Sequence, residues 1–139
     1  MTDPYDLQRF VTAQTSCFDK ICNELSEGRK QSHWMWFIFP QLKGLGSSPM
    51  AMRYAISSKE EGKAYLEDSI LGPRLRQCTE LVLRVEGRSI KQIFGSPDDL
   101  KFRSSMTLFA NVTPENKVFQ DALQKYFAGQ PDHLTIARL

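Results

Sequence analysis

Residues 32–41 read SHWMWFIFPQ, in which six consecutive large apolar residues lie between polar ends. Both tryptophans of the chain, Trp34 and Trp36, belong to this stretch. An aromatic side chain buries on the order of 150–250 Å² when it enters a protein interior. We therefore expect the hydrophobic core to be built around this segment.

The overall composition is that of an ordinary globular protein. The chain has 139 residues, of which 41% are hydrophobic and 24% are charged. This length and balance are typical of one soluble domain, so we expect a single domain over residues 1–139. The 18 Lys and Arg residues are interspersed with 16 Asp and Glu residues and leave a net charge of +2. Because nucleic-acid-binding proteins usually concentrate their basic residues in one stripe, general nucleic-acid binding is disfavoured.

The cellular location is inferred from what the sequence lacks. The N-terminal residues MTDPYD have neither the basic region nor the apolar stretch of a signal peptide, and no run approaches the roughly 18 apolar residues of a membrane span. We expect a cytoplasmic protein with no membrane partner. Cys17, Cys22 and Cys78 lack the paired spacing of a zinc or redox motif, as expected of reduced thiols. The sequence indicates neither a cofactor nor an oligomeric state.

The positions of the prolines indicate an all-α fold. Five of the seven follow a residue suited to capping or preceding a helix, namely Pro4, Pro49, Pro73, Pro97 and Pro114. Proline is favoured at the first helical position, where its missing N–H would have had no partner and its fixed φ already suits the helix. We therefore predict about seven to eight helices. No internal repeat of about 30 to 45 residues appears, so a regular helical array is not supported.

Apolar spacing, capping residues and glycine stops define the predicted helices. They span about 4–27, 34–38, 49–55, 58–67, 72–87, 89–94, 96–111 and 113–129, with a final turn over 134–139. Ser32 is expected to cap the second helix, and Ser58 with Glu61 matches a capping box. As a strand, residues 34–39 would bury both faces with nothing evident to pair against, so we prefer a helix for this segment.

His33 is the most notable titratable residue, at the start of the apolar segment and three residues after Lys30. An imidazole in this setting is able to bind an anion or to act as an acid or base. The alternative is a histidine hydrogen-bonded at the rim of the core. Trp34 and Trp36 lie two apart, which is about 200° around a helix. Either both are core residues, or one faces the core while the other lines a cleft and offers a stacking surface.

Two further groups of charged residues are candidates. Arg74 lies in the first turn of a predicted helix, where a cation opposes the helix dipole. With the free amides of that helix start it could hold a phosphate or carboxylate, or it could pair with a distant acidic residue. Asp98 and Lys101, three apart, fit either a surface ion pair or a site that combines a carboxylate with an amine.

Known catalytic and metal-binding motifs are absent from the sequence. Ser104 and Ser105 could be a nucleophile or phosphate ligands, but small hydroxyl residues also let helices approach closely, and no G-x-S-x-G elbow surrounds them. Two histidines and three scattered cysteines give no ligand set for zinc. No Walker loop, dinucleotide fingerprint or calcium loop appears. We expect a protein without a metal.

Several short motifs stand out together in the chain. They are His33–Gln41, Leu45–Gly46, Leu71–Leu75, Ile93–Gly95, Asp98–Lys101 and Ser104–Phe109. Over nearly the full chain, these segments resemble the DUF1810 family. The resemblance implies a bacterial, all-helical single domain with an orthogonal or irregular helix arrangement and no characterised function. Some members carry the label calpastatin, a protease inhibitor of disordered character, whereas this chain has the patterning of a folded core. Because the family has no established catalytic residues, the resemblance transfers none.

The family motifs coincide with the polar candidates, which suggests one common pocket. Its predicted ligand-binding residues are His33, Trp36, Gln41, Arg74, Asp98, Lys101 and Ser104. Two cations, one carboxylate and an aromatic plate suit a small anionic ligand, nucleotide-like or phosphorylated. The alternative is a non-enzymatic helical interaction module, with Trp34, Trp36 and Phe39 buried and an exposed apolar patch elsewhere. The sequence assigns no reaction.

Overall fold

The computed structural model describes residues 3–139. Over that range it contains ten helices, α1 Gln8–Thr15, α2 Phe18–Ser26, α3 Met35–Ile38, α4 Pro49–Arg53, α5 Lys59–Glu67, α6 Leu71–Arg84, α7 Ile90–Phe94, α8 Asp98–Ala110, α9 Lys117–Phe127 and α10 His133–Arg138. The described chain has no β-strand, only an isolated bridge between Leu42 and Ile56. None of these helices combines the length and the apolar character that crossing a membrane requires. The all-helical prediction is confirmed, whereas the predicted number of helices is too low.

The additional helices come from the two ends of the chain. The predicted helix 4–27 is two helices, because the backbone turns at Ser16 and Cys17 between α1 and α2. This turn lets α1 pack against α3 while α2 packs against α6. The first helix also starts later than predicted, because Asp6 has a positive φ of 51° and is not helical. At the other end, the predicted final turn is the full helix α10, whose N-terminus is capped by the Asp132 side chain.

The apolar segment forms a helix, α3, but Ser32 does not cap it as predicted. The Ser32 hydroxyl donates instead to Glu24 at 2.6 Å, and α3 has no side-chain cap. Four side chains of the segment are at most 2% exposed, namely Trp34, Met35, Ile38 and Phe39. The segment is therefore held by its burial and by α2 rather than by a capping residue of its own.

Phe39 lies within a group of aromatic side chains. Its ring centroid is 5.0 Å from that of Phe102 on α8 and 5.8 Å from that of Phe94 on α7, edge-on in both cases. The buried apolar side chains of the described residues form one cluster that extends along the chain from Phe10 to Leu123. The core thus connects the segment 34–39 directly to α7 and α8, and this contact positions the site described below.

The start of α5 differs in detail from the predicted capping box. The Ser58 hydroxyl accepts from the Glu61 amide at 3.1 Å, as in such a box. The Glu61 carboxylate, however, accepts from the amide and the hydroxyl of Ser57 at 2.9 and 2.7 Å instead of from the Ser58 amide, and its second oxygen pairs with Arg9 at 3.0 Å. The reciprocal pair of bonds is found instead between Ser89 and Gln92 at the start of α7. The carboxylate therefore still holds the start of α5, but through Ser57, one residue before the predicted partner, and it is shared with Arg9.

Candidate functional site

A groove of about 590 Å³ lies between the 41–47 loop and α8. It is lined by residues of the loop, of α8 and of the chain around the start of α10, namely Gln41, Leu45, Gly46, Ser47, Pro97, Leu100, Lys101, Arg103, Ser104, Asp132 and Leu134. Small-molecule pockets typically have about 300–1,000 Å³ and combine apolar walls with a few polar groups. This groove is the candidate site.

A second cavity of about 10 Å³, here called the nook, adjoins the groove. Both spaces are lined by Gln41, Gly46 and Lys101, whereas Trp36 lines the nook but not the groove. The loop is able to lie this close because position 46 is glycine, where a Cβ would stand 2.7 Å from Cβ of Ala51. A space of this size holds about one water-sized group.

Lys101 carries a charge that both spaces share. Its Nζ lies 5.6 Å from the ring centroid of Trp36 and 3.7 Å from Oδ1 of Asp98. Lys30 is closer to the same carboxylate, with its Nζ 2.9 Å from Oδ2 and its side chain 8% exposed. Because two ammonium groups share one carboxylate, a net positive charge remains where Lys101 faces the groove.

The indole N–H of Trp36 is buried and has no hydrogen-bond partner within residues 3–139. Buried polar groups nearly always have a partner, and the indole nitrogen is a donor only. An acceptor atom within hydrogen-bonding distance of this nitrogen would satisfy it. Trp34, by contrast, donates its N–H to Oε1 of Glu24 at 3.0 Å inside the core. The two tryptophans therefore differ, one being a core residue and the other lining the candidate site.

The two serines of α8 offer no activated nucleophile. Ser104 Oγ donates to the carbonyl of Leu100 at 3.2 Å, and Ser105 Oγ is buried without a hydrogen-bond partner in the described chain. Neither hydroxyl is thus hydrogen-bonded to a base that could take its proton. Ser104 lines the groove, where its oxygen still has lone pairs to accept a hydrogen bond.

His33 and Arg74 are not brought to this groove. His33 is exposed and lines neither the groove nor the nook. Arg74 Nη1 lies 3.4 Å from both Gln14 Oε1 and Thr15 Oγ1, and its guanidinium carbon is 4.9 Å from the ring centroid of Phe18. Arg74 therefore packs on α1 and α2 through neutral groups rather than against an acidic side chain.

The structure gathers part of the predicted set and adds residues that the sequence did not indicate. Four predicted residues line the groove or the nook, namely Trp36, Gln41, Lys101 and Ser104. Asp98 lines neither space but lies beside them, 3.7 Å from Nζ of Lys101. The groove also contains Arg103 and Asp132. The helical spacing of Arg103 from Lys101 predicts different directions for the two side chains, and Asp132 precedes a helix that was predicted only as a turn.

Glu24 is a buried carboxylate that the sequence analysis did not single out. It accepts from the Gln31 amide at 2.7 Å, the Ser32 amide at 3.0 Å, the Ser32 hydroxyl at 2.6 Å and the Trp34 indole at 3.0 Å. Burial raises the pKa of Glu24, but these hydrogen bonds outweigh burial and lower the pKa to about 2. Glu24 is therefore an anion that fixes residues 31–34, and it is not a proton donor near neutral pH.

The described cysteines and acidic residues do not form a metal-binding centre. Within the described part of the chain, no three His, Cys, Asp or Glu side chains are placed to hold a metal ion. The three cysteines are free thiols. A hydrogen bond with Cys22, together with burial, raises the pKa of Cys78. Since the thiolate is the nucleophile, Cys78 is unreactive.

Known proteins that resemble the chain agree with the motifs. The family model described as "Protein of unknown function (DUF1810)" matches residues 4–139. The crystal structure of the conserved hypothetical protein Rv1873 from Mycobacterium tuberculosis is similar, with 58% sequence identity, a TM-score of 0.98, and coverage of 99% of this chain and 98% of that one. A comparison with curated proteins finds no match. The resemblance is confirmed, and the chain belongs to the DUF1810 family of proteins of unknown function.

Proposed function

We propose that this protein binds a small anionic ligand in the groove between the 41–47 loop and α8, with Lys101 as its principal charged contact. The observation that carries the proposal is that two lysine ammonium groups lie at unequal distances from the one carboxylate of Asp98. Lys30 lies 2.9 Å from this carboxylate, and Lys101 lies 3.7 Å from it. Because Lys30 already pairs with Asp98, the charge of Lys101 remains available to an incoming anion.

The neutral polar groups of the groove support the same ligand class. The Gln41 amide and the Ser104 hydroxyl line the groove beside Lys101, and both are able to hydrogen-bond an oxyanion. Arg103 adds a second cation. Its Nε donates to the carbonyl of Gln130 at 2.9 Å, and its guanidinium carbon lies 5.5 Å from the ring centroid of Phe127. These contacts hold Arg103 at the groove before any ligand binds.

A second candidate function, a helical interaction module, is favoured by two exposed leucines. Leu100 is 55% exposed and Leu134 is 67% exposed, and both line the groove. Exposed apolar side chains beside one another are typical of protein contact surfaces. In this alternative, an amphipathic peptide of a partner protein covers the leucines, and Lys101 contacts an acidic residue at its edge.

The proposal is tested by a thermal-shift screen of the wild-type protein. The screen contains nucleotides, ADP-ribose derivatives, phosphorylated metabolites and organic acids, because a ligand of the native state raises the melting temperature by mass action. The Lys101→Met variant keeps the aliphatic stem and removes the charge. Its matched control is Lys20→Met, at an exposed position on α2 outside the groove.

The two variants distinguish a groove ligand from a general charge effect. We expect at least one anion to raise the melting temperature of the wild type and of the Lys20→Met variant, with a much smaller shift for Lys101→Met. Equal shifts in all three proteins would place the ligand elsewhere. If no anion shifts the wild type while Leu100→Ser together with Leu134→Ser abolishes capture of a protein partner, the interaction module replaces the proposal.

A further inference from the structure

We infer that the ligand of this groove is an organic monocarboxylate with an apolar body, and that one of its carboxylate oxygens accepts a hydrogen bond from Trp36 Nε1 in the nook. This inference rests on the proposed function and narrows its ligand class. It assigns Trp36 the role of a contact that recognises the acid group.

The unsatisfied indole donor of Trp36 supports a carboxylate oxygen in the nook. Trp36 Nε1 is buried without a partner among residues 3–139, and Trp36 lines a nook of about 10 Å³. This volume admits one water-sized atom, such as a single oxygen of a carboxylate. Lys101 lines the same nook, so an oxygen placed there meets an N–H and an ammonium group together. A charge-assisted hydrogen bond of this kind is about twice as strong as a neutral one.

The charge of the groove favours a ligand with one negative charge. The groove and the side chains behind it hold three cations, Lys30, Lys101 and Arg103, and two carboxylates, Asp98 and Asp132. Their net charge of about +1 matches a monoanion. A phosphate monoester carries about −1.5 to −2 at neutral pH and has three strongly accepting oxygens. The nook admits only one such oxygen, and the second negative charge of a phosphate exceeds the net charge of about +1.

Apolar side chains on the walls of the groove favour a ligand with an apolar body. Leu100 and Leu134 are 55% and 67% exposed, and with Leu45 they line the groove beside Lys101. A ligand that covers these side chains gains about 25 cal/mol for each Å² of apolar area removed from water. The acid group alone does not reach them. The ligand therefore carries an aliphatic or aromatic body of several carbon atoms next to its carboxylate.

The test uses pairs of probes that share one body and differ in the head group. The pairs are octanoate with octanamide, phenylacetate with phenylacetamide, and 4-phenylbutyrate with 4-phenylbutyramide. Octyl phosphate and AMP represent phosphorylated ligands. Binding to the full chain, labelled with ¹⁵N in its two indole groups, is followed by calorimetry and by the two indole N–H resonances. Trp34 is the internal reference, because its N–H already donates to Glu24 at 3.0 Å.

We expect at least one acid to bind about tenfold or more tightly than its amide. Its addition moves the Trp36 resonance and leaves the Trp34 resonance in place. The Trp36→Phe variant, which identifies the resonance by its loss, keeps an aromatic ring and removes the donor. We expect it to weaken the acid about tenfold, as loss of a hydrogen bond to a charged group does, and to weaken the amide much less, because the amide carbonyl accepts only a neutral hydrogen bond from the indole.

Three results would overturn the inference, and they differ from failure of the proposed function. Amides that bind as tightly as their acids would exclude recognition of the charge. Acid binding without movement of the Trp36 resonance would exclude the nook. Octyl phosphate or AMP binding more tightly than every acid would replace the carboxylate by a phosphate and leave the anion groove intact. If no anion binds at all, the proposed function fails together with its refinement.

Discussion

The indole N–H of Trp34 donates to Oε1 of Glu24 at 3.0 Å, and both side chains are buried, at 2% and 5% exposure. This bond joins the apolar segment 34–39 to α2 inside the core. The remaining donors to the carboxylate come from Gln31 and Ser32, in the loop between the two elements. Glu24 is therefore a hydrogen-bonded anion that ties the apolar segment and the loop before it to α2.

The first prediction concerns the dependence of stability on pH. The pKa of Glu24 is lowered from 4.5 to about 2 in the folded protein. A carboxyl with a lowered folded pKa contributes stability above its unfolded pKa and loses that contribution as the pH falls towards the folded pKa. The contribution of Glu24 at pH 7 is about 3 kcal/mol. We expect Glu24→Gln to lower the free energy of unfolding at pH 7 by about that amount. We also expect the free energy of unfolding of this variant to decrease less than that of the wild type as the pH is lowered from about 5 to about 2.

Urea unfolding at a series of pH values measures this effect. Glu27→Gln is the matched control, because Glu27 is exposed next to the end of the same helix. The hydrogen bonds from the Gln8 and Leu7 amides also lower the pKa of Asp3, but this group titrates in all the proteins and cancels in the comparison. Parallel pH profiles for the wild type and Glu24→Gln would contradict the prediction.

A second buried carboxylate, Glu61, depends on Arg9. The two groups are 3.0 Å apart, with side-chain exposures of 3% and 16%. The same guanidinium donates to four backbone carbonyls, those of Tyr5, Asp6, Arg53 and Ala55. Removing one partner of a buried ion pair leaves an uncompensated charge and costs about 3–5 kcal/mol. We expect Arg9→Met to lower the free energy of unfolding by about 3 kcal/mol or more in chemical denaturation at pH 7.

The control for this variant is an exposed ion pair. Arg84 is 73% exposed and lies 3.9 Å from Glu80, and surface pairs contribute only about 0–1 kcal/mol. We expect Arg84→Met to stay within about 0.5 kcal/mol of the wild type. Similar losses in the two variants would show that the Arg9 contacts add nothing beyond a surface pair.

Local signals in the sequence identify helices well when the capping residue acts within its own helix. Ser48 caps α4 directly before Pro49, and Ser89 caps α7, both at predicted starts. The signal fails where a side chain is used elsewhere. The helix predicted from Pro114 begins at Lys117, because the Asn116 side chain donates to the carbonyl of Ala110 at 2.7 Å and holds the chain in a turn. Such a contact forms only in the folded protein and leaves no periodic pattern in the sequence that would predict it.

The candidate site shows the same limit. Trp36 on α3 and Lys101 on α8 are separated in the sequence by four helices, and their meeting depends on Phe39 packing against Phe102 at 5.0 Å. Residue type and family motifs indicated both residues. The same reasoning also indicated Arg74, which faces α1 and α2 because the apolar face of α6 fixes its rotation. The sequence could therefore indicate which residues are candidates for a site. It could not predict which way each helix turns its side chains.

The third prediction concerns Gly72, where α6 passes close to the end of α5. A Cβ at this position would stand 2.1 Å from the backbone oxygen of Leu66, a contact that only movement of the backbone relieves. We expect Gly72→Ala to lower the free energy of unfolding by about 3 kcal/mol. Gly62→Ala is the control, because its Cβ meets side chains rather than backbone, Val112 at 3.3 Å and Leu108 at 3.6 Å, and alanine favours the helix. Thermal unfolding followed by circular dichroism should separate the two variants clearly, and equal melting temperatures would refute the close approach.

The two tryptophans allow a last prediction, because they differ in whether the indole N–H has a partner. Trp34→Phe removes the donor to Glu24 and leaves a gap in the core beside Phe39, so we expect it to lower the free energy of unfolding by about 3 kcal/mol. Trp36→Phe removes a buried donor without a protein partner, so we expect a loss of about 1 kcal/mol or less. Urea unfolding followed by far-ultraviolet circular dichroism measures both variants independently of tryptophan fluorescence. Only Trp34→Phe should also shift acid unfolding to higher pH, because one of the hydrogen bonds that lower the pKa of Glu24 is lost. If Trp36→Phe costs as much as Trp34→Phe, the N–H of Trp36 has a partner within the protein and the nook holds no free donor.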